Sequence, residues 1–398
     1  MYLTGDFIPK EISFKLPDFS NEYVLSNLEG PVCSANIEKG IKVGVHLRSS
    51  PFELKGKWAF ALANNHIMDY GYDGLKQTRE FLESTGISCC GAGATQEESR
   101  KPIILEESGY KIAVFSCCER QFGVSFIDKP GVAALGGWLY LAIKEIKRSG
   151  GADFVIISCH AASEFSPWVS PSLREFYHSL VDAGADIIHG HHSHVPQGYE
   201  VYKDCPIFYG LGNFLVSPMG WGANKNYFWS IVAKVRFTNG RVQWSVSPYG
   251  IIEKNGSAEV LNLNGQALQE IENYIRCANI QFTDDRICKG CWQEAAIRLF
   301  PRLYSTNLRL ICCGDLRFSF RQRLKLGYFA ICDIFAAIKG RVYNSRRSKL
   351  YAMVGYNMLS CESHIDMMRT YLGLITNTEI DCRDEKITQA AEELEWFE

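Results

Sequence analysis

Hydrophobic and polar positions follow two different rhythms along this chain. Through the first 250 residues, short β-branched or aromatic runs end at Gly, Asn, Asp or His. They are Met1–Asp6, Glu22–Leu28, Trp58–Leu62, Lys111–Cys117, Asp153–Cys159, Asp186–His189 and Ile207–Leu211. Runs of this length and composition predict strands. Between them the apolar spacing widens to that of a helix face, over Tyr72–Thr85, Trp138–Arg148 and Ser172–Ala183. Ser170 and Pro171 before the last of these form a cap followed by proline in the first turn. Strands alternating with helices predict an α/β fold. Trp229–Phe237 and Arg241–Tyr249, joined by Thr238, Asn239 and Gly240, predict a hairpin. After about residue 252 the helical rhythm takes over, with Ala267–Ala278, Gln293–Leu299, Arg323–Lys339, Leu350–Met358 and His364–Leu374 all predicted as helix. The polar stretch Glu253–Ser257 marks the expected boundary between a domain over 1–252 and a mainly helical region over 253–398. No internal repeat or low-complexity segment interrupts this plan.

Composition adds three constraints. The chain has 398 residues, 46% hydrophobic and 22% charged, which is an ordinary globular balance and enough chain for a full core. Its 42 Lys and Arg against 44 Asp and Glu exclude a globally basic, histone-like binder. Yet residues 298–349 carry twelve Lys and Arg against only Asp315 and Asp333. A segment of that charge suits an anionic polymer, a synthase complex or the face of a membrane, although a solvated helical face is its ordinary explanation. The fifteen cysteines include adjacent pairs, and the opening MYLTGDFIPK has neither a basic nor an apolar leader region. Reduced thiols and a cytoplasmic location, with peripheral attachment at the inner membrane face, are therefore expected. Cys288 and Cys291 have the spacing of half a zinc site, but no second pair accompanies them, and a structural zinc is not expected. The longest apolar run, Leu326–Ile338, is too short to span a bilayer.

The chemistry gathers at predicted strand ends. Asp6, Glu29, the run Asn64, Asn65 and His66, then His160, His192 and His194 each follow an apolar run. Residues at the carboxyl ends of neighbouring parallel strands converge on one edge of a sheet. Each piece alone has an ordinary explanation as a turn, a cap or a structural histidine. Together they offer carboxylates, imidazoles and an amide, the donor set of a two-cation site for Mn, Fe or Zn. An imidazole left over from ligation can protonate a leaving group.

These stretches resemble the capsule and poly-γ-glutamate synthesis protein CapA group, within the calcineurin-like metallophosphoesterase fold. The resemblance is carried by Gly5-Asp6, by 27–31 (NLEGP), by 63–71 (ANNHIMDYG), by 91–93 (GAG), by His160 to Glu164, by 184–195 (GADIIHGHHSHV) and by 210–214 (GLGNF), in family order over residues 1 to about 217. It implies a layered β-sandwich flanked by helices, with a helical C-terminal extension. It implies that Asp6 binds one metal, that Glu29 bridges both, that Asn65, His160 and His192 hold the second, and that His194 completes the first. It makes His66 the proton donor, oriented by Asp69, with His189 and His191 structural. Asn64, Glu164 and Asn213, within the matched stretches, become candidates for substrate contact; Arg48, in the separate run 46–51 (HLRSSP), could meet an anionic substrate group, although a surface arginine is its ordinary account. The implied activity is a metal-dependent hydrolase of phosphoester or polymer-linked substrates, with a non-catalytic accessory role through 298–349 as the alternative. No nucleic-acid module is visible, so no nucleic-acid partner is expected. Two departures stand out. Asp6-Phe7-Ile8 lacks the histidine of the common Asp-x-His opening, and Ala161 stands where the family often has Trp.

Overall fold

A computed structural model describes residues 1–398 except 11–12, 41, 43, 218–223, 255, 304–345 and 396–398. Two sheets form its centre. The first has nine strands. Tyr2–Phe7, Tyr23–Leu28, Lys57–Ala61 and Ser88–Cys90 run parallel in that order. Trp229–Thr238, Arg241–Lys254 and Ser257–Asn262 extend the other side antiparallel. The second sheet is built on four parallel strands, Tyr110–Cys118, Phe154–His160, Ile187–His191 and Cys205–Leu211. Antiparallel edge strands flank them, Ile103–Glu107 on one side and Pro196–Tyr202 on the other.

Each sheet carries two apolar faces, which explains the near-continuous hydrophobic runs in its central strands. Leu3, Leu25 and Ala59 of the first sheet meet Ile112, Ile156 and Phe208 of the second in one buried core. On the outer face of the first sheet, Trp58 and Phe60 pack with Leu75 and Leu82 of the Gly71–Ser84 helix. On the outer face of the second, Val155 and Ile157 pack with Leu139 and Ile143 of Trp138–Arg148 and with Tyr177 and Leu180 of Pro171–Asp182. The result is a helix–sheet–sheet–helix sandwich. Ser170 caps the Pro171–Asp182 helix, its side chain accepting from the Leu173 N–H.

The polar stretch Glu253–Ser257 is the tip of a hairpin in the first sheet, where Lys254 pairs with Ser257. The sheet therefore continues past residue 252. Beyond it come the helices Gly265–Asn279, Asp285–Leu303, Arg346–Ser360, Glu362–Ile375 and Glu385–Glu393. Their residues Ile271, Trp292, Met367 and Ile387 join the same buried core as the two sheets. The Tyr274 hydroxyl donates to the Pro196 carbonyl at 2.8 Å, tying the first of these helices to the second sheet. The predicted helix Arg323–Lys339 and most of the basic segment 298–349 lie outside the described residues. The described cysteines, Cys277, Cys288 and Cys291 among them, are all free. No helix among the described residues is long and apolar enough to cross a membrane.

Candidate metal centre

Parallel strands in both sheets end at the same edge of the sandwich, and each delivers a polar side chain there. From the first sheet come Asp6, Glu29, and the loop Asn64–His66 after Lys57–Ala61. From the second come Glu119, His160, His192 and His194, while Asn213 opens the short strand Asn213–Leu215, which pairs with Tyr2–Phe7 in the first sheet. Close packing of backbone sets the spacing. A Cβ at Gly5 would collide with the Gly212 carbonyl oxygen. The Asp6 N–H donates to that oxygen at 2.9 Å, which lodges Asp6 beside Asn213. His192 and His194 sit on a turn of left-handed backbone, with φ of 89° and 58°. Both rings lie in ligand groups that include Glu29.

Three groups of ligand atoms each lie close enough to share one cation: Glu29 with His160 and His192, Glu164 with His192 and His194, and Asp6 with Glu29 and His194. His194 Nε2 is 3.6 Å from Glu29 Oε1, and its Nδ1 is 3.4 Å from Asp6 Oδ2. Asn213 Oδ1 lies 3.0 Å from the same Nδ1. His160 Nε2 is 3.8 Å from Glu29 and 3.0 Å from Asn65 Oδ1. His191, beside them, lies 3.5 Å from Asp6 through Nδ1 and 3.2 Å from the Ser158 hydroxyl through Nε2. His189 reaches across the sandwich to the Thr4 carbonyl at 2.8 Å.

The electrostatics of this cluster are those of a cation site. Glu29 is wholly buried, and neither of its carboxylate oxygens has a hydrogen-bond partner; Asp6 Oδ2 is in the same position. Buried polar atoms are nearly always satisfied, and such exceptions mark a missing ion or a function. Burial pushes the Glu29 carboxyl up to about 8 against the pull of His194. Burial works to lower His194, but Glu29 and Asp6 hold it above its ordinary range. Burial and the neighbouring imidazoles keep His160 well below its usual value, so it stays neutral and able to ligate. The residues therefore fit divalent cations: hard carboxylate oxygens together with imidazoles suit Mn, Fe or Zn.

His66 sits at the rim with its Nε2 3.8 Å from Glu29. Its Nδ1 lies 2.8 Å from Asp69 Oδ2 and 2.9 Å from Lys42 Nζ, and Lys42 also pairs with Asp69. Asp69 is fixed further by the Leu47 N–H at 2.6 Å. Burial, then Lys42, outweigh Asp69 and leave His66 below its ordinary pKa. Asn64 is a buried brace: its carbonyl oxygen accepts from the N–H groups of His66 and Ile67, and its amide donates to Asn27 and to the Leu28 carbonyl. A cavity of about 560 Å³ opens above the cluster, with Glu29, His66, Glu164 and His194 in its wall. Burial works to raise Glu164, but His192 and His194 hold it below its usual value. Arg48 is not in that wall; its guanidinium donates to the Cys33 carbonyl at 3.2 Å. Lys42, Glu119, Gln121 and His364 are in contact with the cluster or line the cavity; Glu119 follows the apolar end of Tyr110–Cys118 as Glu29 follows Tyr23–Leu28, whereas Lys42, Gln121 and His364 carry no strand-end signal. His364 reaches the cavity from the Glu362–Ile375 helix, while Cys361 stays buried at that helix's start.

The bacterial capsule synthesis protein PGA_cap family model matches residues 19–218. The capsule biosynthesis protein CapA of Bacillus anthracis is 31% identical over 234 residues, 56% of this chain and 56% of that protein. The probable polyglutamine synthesis accessory protein MT0602 of Mycobacterium tuberculosis is 30% identical over 250 residues, 55% of this chain and 64% of that protein. The matches thus span a little over half the length of these relatives. Among solved structures, a putative 5′-nucleotidase from Staphylococcus aureus aligns with a TM-score of 0.33 at 15% identity, over 56% of this chain and 42% of that one, a likeness too slight to argue from.

Proposed function

Because this chain belongs to the bacterial capsule synthesis protein PGA_cap family, we propose that it is a metal-dependent hydrolase acting on a phosphoester or polymer-linked substrate. Its setting would be capsule, poly-γ-glutamate or other cell-surface polymer biosynthesis, at the cytoplasmic face. The observation that carries the reading is Glu29: fully buried, unbonded at both oxygens, and ringed by Asp6, His160, His192 and His194. A carboxylate so placed is stable only beside cations or with a proton.

Asp6, Glu29 and His194 would hold one divalent cation, and Glu29, Asn65, His160 and His192 the other. Bound there, such cations acidify water and neutralise oxyanion charge. The chain's own groups do the rest. His66 turns Nε2 to the cavity, from where it would pass a proton to the leaving group, Asp69 favouring the protonated ring against burial and Lys42. Asp69 fixes the ring through Nδ1, and Lys42 anchors Asp69. Glu164 stands in the same cavity wall, within reach of His192 and His194. Lys10 gives the cavity wall a cation for an anionic substrate, while the charge of Lys42 is paired with Asp69.

The test is bound metal per chain by elemental analysis after loading with Mn, Fe or Zn, beside Glu29→Ala and His192→Ala. Two metals per chain, falling in both variants, is the expected result. His66→Ala should keep its metals and lose turnover by a hundred- to ten-thousandfold, on the order of a general acid's contribution. A wild-type protein that binds no metal overturns the reading. The name of the mycobacterial relative favours a second reading, an accessory that binds an anionic polymer or a synthase complex through 298–349. That binding should weaken steeply with salt, vanish without 298–349 and survive Asp6→Ala.

A further inference from the structure

The family match ends at residue 218, yet the metal centre is braced from beyond it. Ser363, in the first turn of the Glu362–Ile375 helix, donates its backbone N–H to Glu119 Oε2 at 3.1 Å and its hydroxyl to Glu119 Oε1 at 3.0 Å. Glu119 Oε1 also lies 3.0 Å from His192 Nε2 and accepts the Gln121 amide at 2.9 Å. The chain is sealed from water: Ser363 is 7% exposed, Glu119 2% and His192 0%. Arg120 fastens the same helix a second time. Its N–H donates to Glu362 Oε2 at 2.8 Å, and its guanidinium pairs with Glu362 Oε1.

This arrangement decides which nitrogen of His192 carries the proton. Gln121 Nε2 lies 2.7 Å from His192 Nε2, so an amide and a carboxylate compete for that nitrogen. A protonated Nε2 makes a charge-assisted bond to Glu119. A bare Nε2 would set its lone pair against a carboxylate oxygen at 3.0 Å. Charge-assisted bonds are about twice as strong as neutral ones, so the proton is favoured on Nε2, with the Gln121 amide donating to Glu119 at 2.9 Å and drawing back from its 2.7 Å approach to that nitrogen. Nδ1 is then the nitrogen with a lone pair to give. It is buried, has no hydrogen-bond partner, and belongs to the ring grouped with Glu29 and His160.

We propose that Glu119 is a positioning residue that fixes His192 as an Nδ1 metal ligand, and that the Glu362–Ile375 helix holds Glu119 in place. The C-terminal region is then part of the metal centre. The inference rests on the metal site proposed above. Outer-shell partners of this kind change metal affinity by about ten- to a hundredfold.

The experiment titrates Zn into full-length wild type, E119Q and S363A by calorimetry and records imidazole 15N shifts of the loaded proteins. Expected are a ten- to hundredfold weaker second metal in E119Q, a few-fold weakening in S363A, and a wild-type His192 protonated at Nε2 and metal-bound at Nδ1. S363A removes one hydroxyl and keeps the helix N–H, so it reports even if E119Q does not fold. Wild-type affinity in both variants, or metal on Nε2, overturns the inference and leaves the metal site standing. A wild type without metal overturns both.

Discussion

Two glutamates drawn out of bulk water on the same sandwich, Glu29 wholly and Glu200 in part, are handled in opposite ways. Glu200, on the edge strand Pro196–Tyr202, accepts from Arg174 Nε at 3.0 Å and Nη2 at 2.8 Å and from the Tyr209 hydroxyl at 2.6 Å, with His178 Nε2 at 2.8 Å. Burial opposes its ionisation, but His178, Arg174 and Tyr209 win and bring its carboxyl down to about 2. Glu29 accepts nothing at either oxygen, and burial lifts it to about 8. One carboxylate is a brace between a helix and a strand. The other is left unsatisfied at a point where histidines converge. Burial alone does not separate structure from function; what separates them is whether the fold has completed the hydrogen bonding.

The comparison breaks most sharply at Glu29→Gln. Bound metal should fall by at least one cation per chain, with turnover down on the order of a thousandfold. The melting of the metal-free protein should hardly move. A large loss of metal-free stability would mean that Glu29 is a brace after all. Glu200→Gln should do the reverse, costing roughly 3 kcal/mol in denaturant melts with metal content intact. Acid sharpens the same contrast. Glu200 has a depressed carboxyl, so its contribution is fully present above about 4.5 and lost as pH falls towards about 2. Allowing for solvent screening at this partly covered pair, the loss is roughly 2 kcal/mol. Melts at pH 5.5 and 2.5 should show wild type falling further than Glu200→Gln, and equal falls would discard the brace. Lys42→Met should lower turnover by about tenfold, through the His66 and Asp69 pair, with both metals kept. Arg48→Ala, outside the cavity wall, should change KM by less than about twofold; a larger rise would bring Arg48 to the substrate.

Much of this was legible in the sequence, for a physical reason. Asp6, Glu29, His66, His160, His192 and His194 follow apolar runs, and parallel strands deliver their carboxyl ends to one edge. Asp69 follows His66 at the three-residue spacing of a turn. Less legible were residues that no periodicity marks. Glu119 follows a strand as Glu29 does, but with Arg120 and Gln121 it opens what reads as a solvated polar run. Lys42 stands in a loop of Gly and Val. His364 comes from a helix far along the chain, and no local pattern says which side of a helix meets a distant cavity. Edge strands were hidden too. Ile103–Glu107 ends in two acids, and Pro196–Tyr202 opens on proline and contains Gly198, as edge strands can. The Asp285–Leu303 helix was read only over Gln293–Leu299, because it is buried over much of its circumference and shows little amphipathic contrast.

The left-handed turn that carries His192 and His194 sets those two positions apart from His160 in the backbone they require. A histidine at positive φ costs on the order of 1 kcal/mol that glycine does not. Glycine or asparagine at 192 and 194 relieves that strain, whereas at His160, in regular strand, neither does. In the laboratory the same asymmetry should appear as a smaller loss of metal-free stability for His194→Gly than for His160→Gly.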